Sequence, residues 1–173
     1  MARGILLELG PEALTLKAVA AQVGVTHANL LHHFGSAGGL RTELMTKMLR
    51  DLGEVMRDAV ARLRAGECTM DEVVSLTFDA FGEGGAGRLA AWMVLNRDTD
   101  RLEPIGEVVR ELAEAIVIEG KEAQVRQAIL FVTMMAFADG VIGNYLRPML
   151  DQGDDSAREV TARLSPLITM ADV

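Results

Sequence analysis

The sequence predicts an all-α protein in two parts, an N-terminal three-helix helix-turn-helix DNA-binding domain over residues 1–39 and a C-terminal helical ligand-binding and dimerisation domain over 40–173. Two observations carry the class. Apolar residues recur at three- and four-residue steps along most of the chain, and no segment alternates apolar and polar residues long enough for a sheet. Half of the residues are hydrophobic but only 4% are aromatic, so the interior must be built from Leu, Val, Ala, Ile and Met, which are mainly helix formers.

Taken in order, a short helix over about Ile5–Leu9 stops at Gly10-Pro11. Thr15 is placed to cap a second helix through Val23, and Thr26 a third to about Phe34, with a turn at Gly24-Val25 between them. Gly35, Gly38 and Gly39 mark a break. A long helix then runs from Leu40 to about Arg64, with Leu40, Leu44, Met48, Leu52, Val55, Met56, Ala59, Val60 and Leu63 forming one stripe. Thr69-Met-Asp-Glu72 has capping-box spacing and opens a helix to about Phe81. Residues 82–87 read as a loop, followed by helices from Arg88 to about Arg97 and from about Pro104 to Glu119, with the proline in the first turn. A very apolar helix spans Glu122 to about Leu150, and Ser156–Met170 holds the last, with Pro166 expected to kink or end it.

Charge and cysteine content narrow the setting. The net charge is −8, yet up to Lys47 four bases (Arg3, Lys17, Arg41, Lys47) face three acids (Glu8, Glu12, Glu43), so the acidity lies in the C-terminal part. That distribution is compatible with a DNA reader at the N-terminus. The single cysteine, Cys68, excludes an intrachain disulfide and a cysteine metal cage. A cytoplasmic location is expected, since the N-terminus also lacks the layout of a secretory signal.

The most specific string runs from Leu16 to Leu30. A helix-turn-helix needs a small residue where its helices cross, a glycine able to take positive φ in the turn, and apolar residues beneath. Ala20, Gly24 and Leu30 occupy those places, with Val19, Val23, Val25 and Phe34 expected in the core. Thr26, His27, Ala28, Asn29, Leu31 and His32 are left facing outward, on the helix that lies in the major groove in such folds. The wider string, Thr15 through Leu40 with Gly24-Val25-Thr26, Leu30, His33-Phe34 and Ser36, resembles the tetracycline-repressor (TetR) family of transcriptional regulators over about residues 3–47.

The resemblance implies a homodimer that binds a palindromic DNA operator, most often as a repressor, and is released by a small, mostly apolar effector. It implies DNA contacts from Thr15, Lys17, Thr26, His27, Ala28, Asn29, Leu31, His32 and Ser36. The hydroxyl of Thr26 suits a phosphate at a helix N-terminus, and the Asn29 amide suits an adenine edge. The chain departs from the family at Leu31, where tyrosine is usual, and at Ala37, where a phosphate-gripping lysine is usual. Its first helix is short, with Arg3 its only base. Weak or histidine-dependent DNA affinity is therefore expected, and a ligand-binding or interaction module with a degenerate DNA reader is the rival reading.

In the C-terminal part, Phe78, Phe81, Trp92, Met93, Met134 and Phe137 are the expected effector pocket, with Arg97, Asp98 and Asn144 as candidate polar anchors. The run from Ala128 to Leu146 is apolar on nearly every face, so one stripe packs on the core and another needs a partner. Phe131, Met135, Asp139, Ile142, Tyr145 and Leu164 are the expected dimer interface, in an intersubunit four-helix bundle as in the family. Asp139 and Asn144 break the run, which argues against a membrane span.

Three further patterns are read as inert. His27, His32 and His33 lack the i,i+3 or i,i+4 spacing of helical metal ligands. Gly82, Gly84 and Gly87 match G-x-G-x-x-G but follow a helix rather than a strand, so they make a loop. No nucleophile–base pair or carboxylate dyad stands out. Neither a metal nor any other cofactor is expected, and no enzymatic activity.

Overall fold

The computed structural model describes residues 1–98 and 103–170, leaving aside the side chains of residues 103, 104, 169 and 170. Among these residues every regular element is helical, in the order α1 (Ala2–Leu9), α2 (Leu16–Val23), α3 (His27–Phe34), α4 (Ala37–Ala65), α5 (Met70–Phe81), α6 (Ala86–Leu95), α7 (Glu103–Ile116), α8 (Glu122–Ala138), α9 (Asn144–Met149) and α10 (Ser156–Met170). A 3₁₀ turn over Pro11–Ala13 joins α1 to α2, and a π-helical turn over Asp139–Gly143 joins α8 to α9 without a break.

The helix ends follow local chemistry. The Thr15 hydroxyl accepts from the Ala18 N–H, Thr26 from Asn29 and Ser36 from Gly39, each satisfying one orphan donor of a first turn. Thr69 and Glu72 close a capping box at the start of α5, in which the Glu72 carboxylate accepts from the Thr69 N–H at 2.6 Å. Gly24 ends α2 in the left-handed region at φ 76°. The long helix starts at Ala37 rather than Leu40, because Ser36 caps it and Gly38 and Gly39 fit its first turn. A Cβ on Gly38 would stand 2.5 Å from the Asp98 carboxylate, and Gly39 is buried. Pro166 lies inside α10, which continues to Met170.

At 29 residues, or about 43 Å, α4 is the spine. It touches α3, α5, α6 and α7, while α10 packs against both α8 and α5. One core cluster joins Ile5 and Leu6 of α1, Leu14, and Leu16 and Val19 of α2 to Leu40, Met45 and Leu49 of α4 and Phe78, Leu89 and Met93 beyond it. The two parts read in the sequence thus share an apolar interior. Arg41 reinforces the junction. Its Nε meets the Asp98 carboxylate at 2.6 Å, its Nη1 donates to the Leu14 carbonyl at 3.1 Å, and its guanidinium lies 4.3 Å from the Trp92 ring centre. Arg3 donates to the Gly84 carbonyl at 3.2 Å, fastening α1 to the α5–α6 turn.

The α8–α9 run, Glu122–Met149, is long and apolar enough to cross a membrane by length and composition. Its outer side, with α10, exposes Leu130, Met134, Ile142, Tyr145, Leu146, Met149, Leu164 and Leu167. The π turn seats its glycine against the end of α5, where a Cβ on Gly140 would lie 2.6 Å from the Phe81 carbonyl oxygen.

Candidate functional site

Two features stand out, a bare helix at one end and a cavity in the C-terminal part.

The bare helix is α3, which has no buried residue. It follows α2 through the left-handed Gly24 and a turn, and it is anchored by half-buried Leu30 and Phe34 against the core. His27, Ala28, Asn29, Leu31 and His32 are exposed, as are Thr15, Lys17 and Thr26, while Ser36 is half-buried. The Thr15, Thr26 and Ser36 hydroxyls accept from backbone N–H groups, which leaves each O–H proton free to donate outward. His33 meets the Phe34 ring edge-on, with ring centres 4.6 Å apart.

The apolar support of this face is thinner than its sequence suggests. Val19 is buried, but Val23 is 45% and Val25 36% exposed, because α2 ends there and nothing crosses over the turn. Together with Leu31, 44% exposed, they place apolar groups on the same surface as the polar ones. The basic residues are also fewer than their count implies. Arg3 and Arg41 are turned inward to carbonyl and carboxylate partners, and Lys47 pairs with Asp51 at 2.9 Å on α4. Lys17 remains as the exposed base beside α3.

The cavity has a volume of about 390 Å³ and lies among α4, α5, α6, α7, α8 and α10. Of the six residues read as an effector pocket, Phe81 and Met93 line it and the other four do not. Met134 is 62% exposed on the outer side of α8, about 200° around the helix from the lining residue Val132 and about 100° from Thr133. Phe137 packs edge-on against Phe81, Trp92 is taken up by Arg41, and Phe78 lies under the Arg158 guanidinium. The wall is aliphatic instead. Met45, Leu49, Leu52, Met56, Val60 and Leu63 of α4 face Ile105, Val109, Leu112 and Ile116 of α7, each set at helical spacing. The α7 spacing is plain in the sequence, whereas the choice between Met45 and Met48 depends on how α4 is rotated against its neighbours.

The candidate anchors Asp98 and Asn144 are also elsewhere. Asp98 binds Arg41, and Asn144 accepts from Arg147, while Arg97 is exposed at the end of α6 with φ 55°. Four polar residues do line the cavity: Arg64, Thr77, Thr133 and Ser165. Arg64 was not anticipated from sequence. It is exposed at one end and donates to the carbonyls of Ile116 at 3.1 Å and Val117 at 3.4 Å.

Of the residues read as a dimer interface, Ile142, Tyr145 and Leu164 are exposed, Tyr145 by 70%, and Phe131, Met135 and Asp139 are half-buried. Asp139 and Arg147 form a close ion pair across the π turn, beneath this apolar surface. Among the described residues, no cluster of three or more His, Cys, Asp or Glu side chains is placed to hold a metal.

No protein-family model, no curated protein and no solved structure matches the chain.

Proposed function

We propose that the protein is a one-component transcriptional regulator of the TetR type, a homodimer that binds a near-palindromic operator and is released by a small apolar effector. The observation that carries this reading is α3. A helix of eight residues with none buried, preceded by a positive-φ glycine turn and a capping threonine, is the arrangement by which a helix-turn-helix presents its recognition helix. Its outward groups suit a major groove. Asn29 offers an amide for adenine, Leu31 and Val25 offer apolar contact to a thymine methyl, and Lys17 with the Thr15 and Thr26 hydroxyls offers phosphate contacts.

The outer α8–α9–α10 surface supplies a face for a second copy, as in an isologous helical bundle. Two α3 helices would then enter successive major grooves about 34 Å apart. An effector in the cavity acts by preferring the conformer with the wrong separation, and each 1.4 kcal/mol of that preference weakens operator binding about tenfold. Because α4 lines the cavity and touches α3, it is the element through which the two sites communicate.

The inward turn of Arg3 and Arg41 favours a second reading, a ligand-binding or interaction module whose DNA reader has lost its grip. A gel-shift titration with the DNA upstream of the protein's own gene separates the two. The regulator reading expects specific retardation that Asn29→Ala abolishes and a shallow salt dependence, since each phosphate contact adds only about 0.9 to the slope. No specific shift at low salt, with a folded dimer present, defeats it.

A further inference from the structure

We propose that the cavity takes a straight-chain aliphatic carboxylate, with its tail laid along α4 and its headgroup at Arg64; the inference deepens the reading of this cavity as the ligand site and rests on it.

Shape is the first argument. Lining residues follow α4 from Met45 to Arg64, a span of about 28 Å at helical rise, with α7 running alongside from Ile105 to Ile116. The cavity of about 390 Å³ follows that course to Arg64, which suits a hydrocarbon chain laid along the two helices. The second argument is the distribution of polarity. No acidic side chain lines the cavity, so a cationic ligand would meet no counter-charge, and Arg64 is the one charged group in the wall.

Arg64 stands at an end rather than in the middle. Its partners are two carbonyl oxygens of the α7 terminus, and among the described residues no carboxylate pairs with it. One guanidinium nitrogen makes both bonds, leaving donors for an arriving carboxylate in a charge-assisted pair. The headgroup thus remains at the exposed rim while the tail leaves water.

Titration of the purified full-length protein with the sodium salts of octanoate through hexadecanoate, below their micelle concentrations and followed by calorimetry, tests the proposal. Affinity is expected to rise about fourfold per methylene, the ~0.8 kcal/mol of its burial, and then to level off when the cavity is full. Dodecanoate is expected to bind up to about fivefold more tightly than dodecan-1-ol, an advantage of the size found for exposed ion pairs. Arg64→Gln removes that advantage without changing the alcohol's affinity, and Arg64→Lys retains most of it. A thermal melt of each variant shows that the fold is kept. No gain with chain length, or a carboxylate preference untouched by Arg64→Gln, overturns the proposal. The gel shift without ligand is read separately. Loss of DNA binding with chain-length-dependent carboxylate binding intact defeats the regulator reading alone. DNA binding without dodecanoate binding defeats the present inference alone.

Discussion

Replacing Arg41 by methionine keeps the aliphatic stem and removes the guanidinium that fastens α4 to the elements on either side. Three interactions go with it. The Asp98 ion pair is 2.6 Å long between side chains that are 12% and 25% exposed, so most of its charge-assisted hydrogen bond, about 1.5–3 kcal/mol, is realised. Stacking on Trp92 at 4.3 Å adds about 0.5–1 kcal/mol. The Leu14 carbonyl loses its donor at 3.1 Å, and Asp98, being partly exposed, recovers some hydration. The balance is a destabilisation of about 2–4 kcal/mol, equivalent to a fall of about 5–15 °C in Tm for a chain of this length. Urea unfolding followed by the fluorescence of Trp92, the only tryptophan, reads both the stability and the loss of the overlying cation. Combining Arg41→Met with Asp98→Asn in a double-mutant cycle should return a coupling of at least about 1 kcal/mol. A single-mutant cost within about 0.5 kcal/mol of zero, or additive effects in the cycle, refutes the view that this cation is what joins α4 to the segment after α6.

Other positions give independent tests. Gly140→Ala drives a Cβ to 2.6 Å from the Phe81 carbonyl oxygen and 3.1 Å from the Gly82 nitrogen, so calorimetry should show a loss of about 1–3 kcal/mol. Gly4→Ala, with nothing within 4 Å, should instead raise stability by up to about 1 kcal/mol. The Thr69 N–H and then the Thr69 hydroxyl hold the Glu72 carboxyl below its ordinary value near 4.5. Its contribution to the α5 terminus is therefore complete above that ordinary value and fades as the pH falls through the lower folded one. Amide hydrogen exchange of the first α5 turn should show this dependence, and Glu72→Gln should flatten it. Met134→Glu sets a charge in the middle of the outer α8 surface. A dimer formed there should lose about 3–5 kcal/mol and become a monomer at micromolar concentration in sedimentation velocity. An unchanged dimer would place the interface elsewhere.

The helical class and most helix limits were legible because they rest on neighbours in sequence. Thr15, Thr26 and the Thr69–Glu72 pair cap the helices they were expected to cap, since a cap acts over three residues. The start of α4 was misjudged because Gly38 and Gly39 read as a break. The small size of Gly38 serves a distant residue, Asp98, that no local pattern connects to it. The cavity was misjudged for a related reason. Aromatic side chains suit the walls of a ligand pocket, yet Trp92, Phe78 and Phe137 each meet a long-range partner, Arg41, Arg158 and Phe81. Aliphatic residues of α4 and α7 were left to form the walls. The outward face of α3 needed only the phase of one short helix around Leu30 and Phe34, and that much a sequence supplies.

The π turn fixes which way the side chains of α9 point. Continued as a regular α-helix from Leu130 and Met134, the outer row would pass through residues 137, 141, 145 and 148. The widened turn over Asp139–Gly143 accommodates one more residue, which moves that row by one position, and the exposed apolar residues from the turn onward are Ile142, Tyr145, Leu146, Met149 and Leu150. Removing a single residue between 139 and 143 would rotate everything after it by about 100°. Tyr145, Leu146 and Met149 would each point in a new direction while the hydropathy of the segment stayed almost the same. The register of that surface is thus set by the length of a five-residue turn, and a survey of composition alone would miss the change entirely.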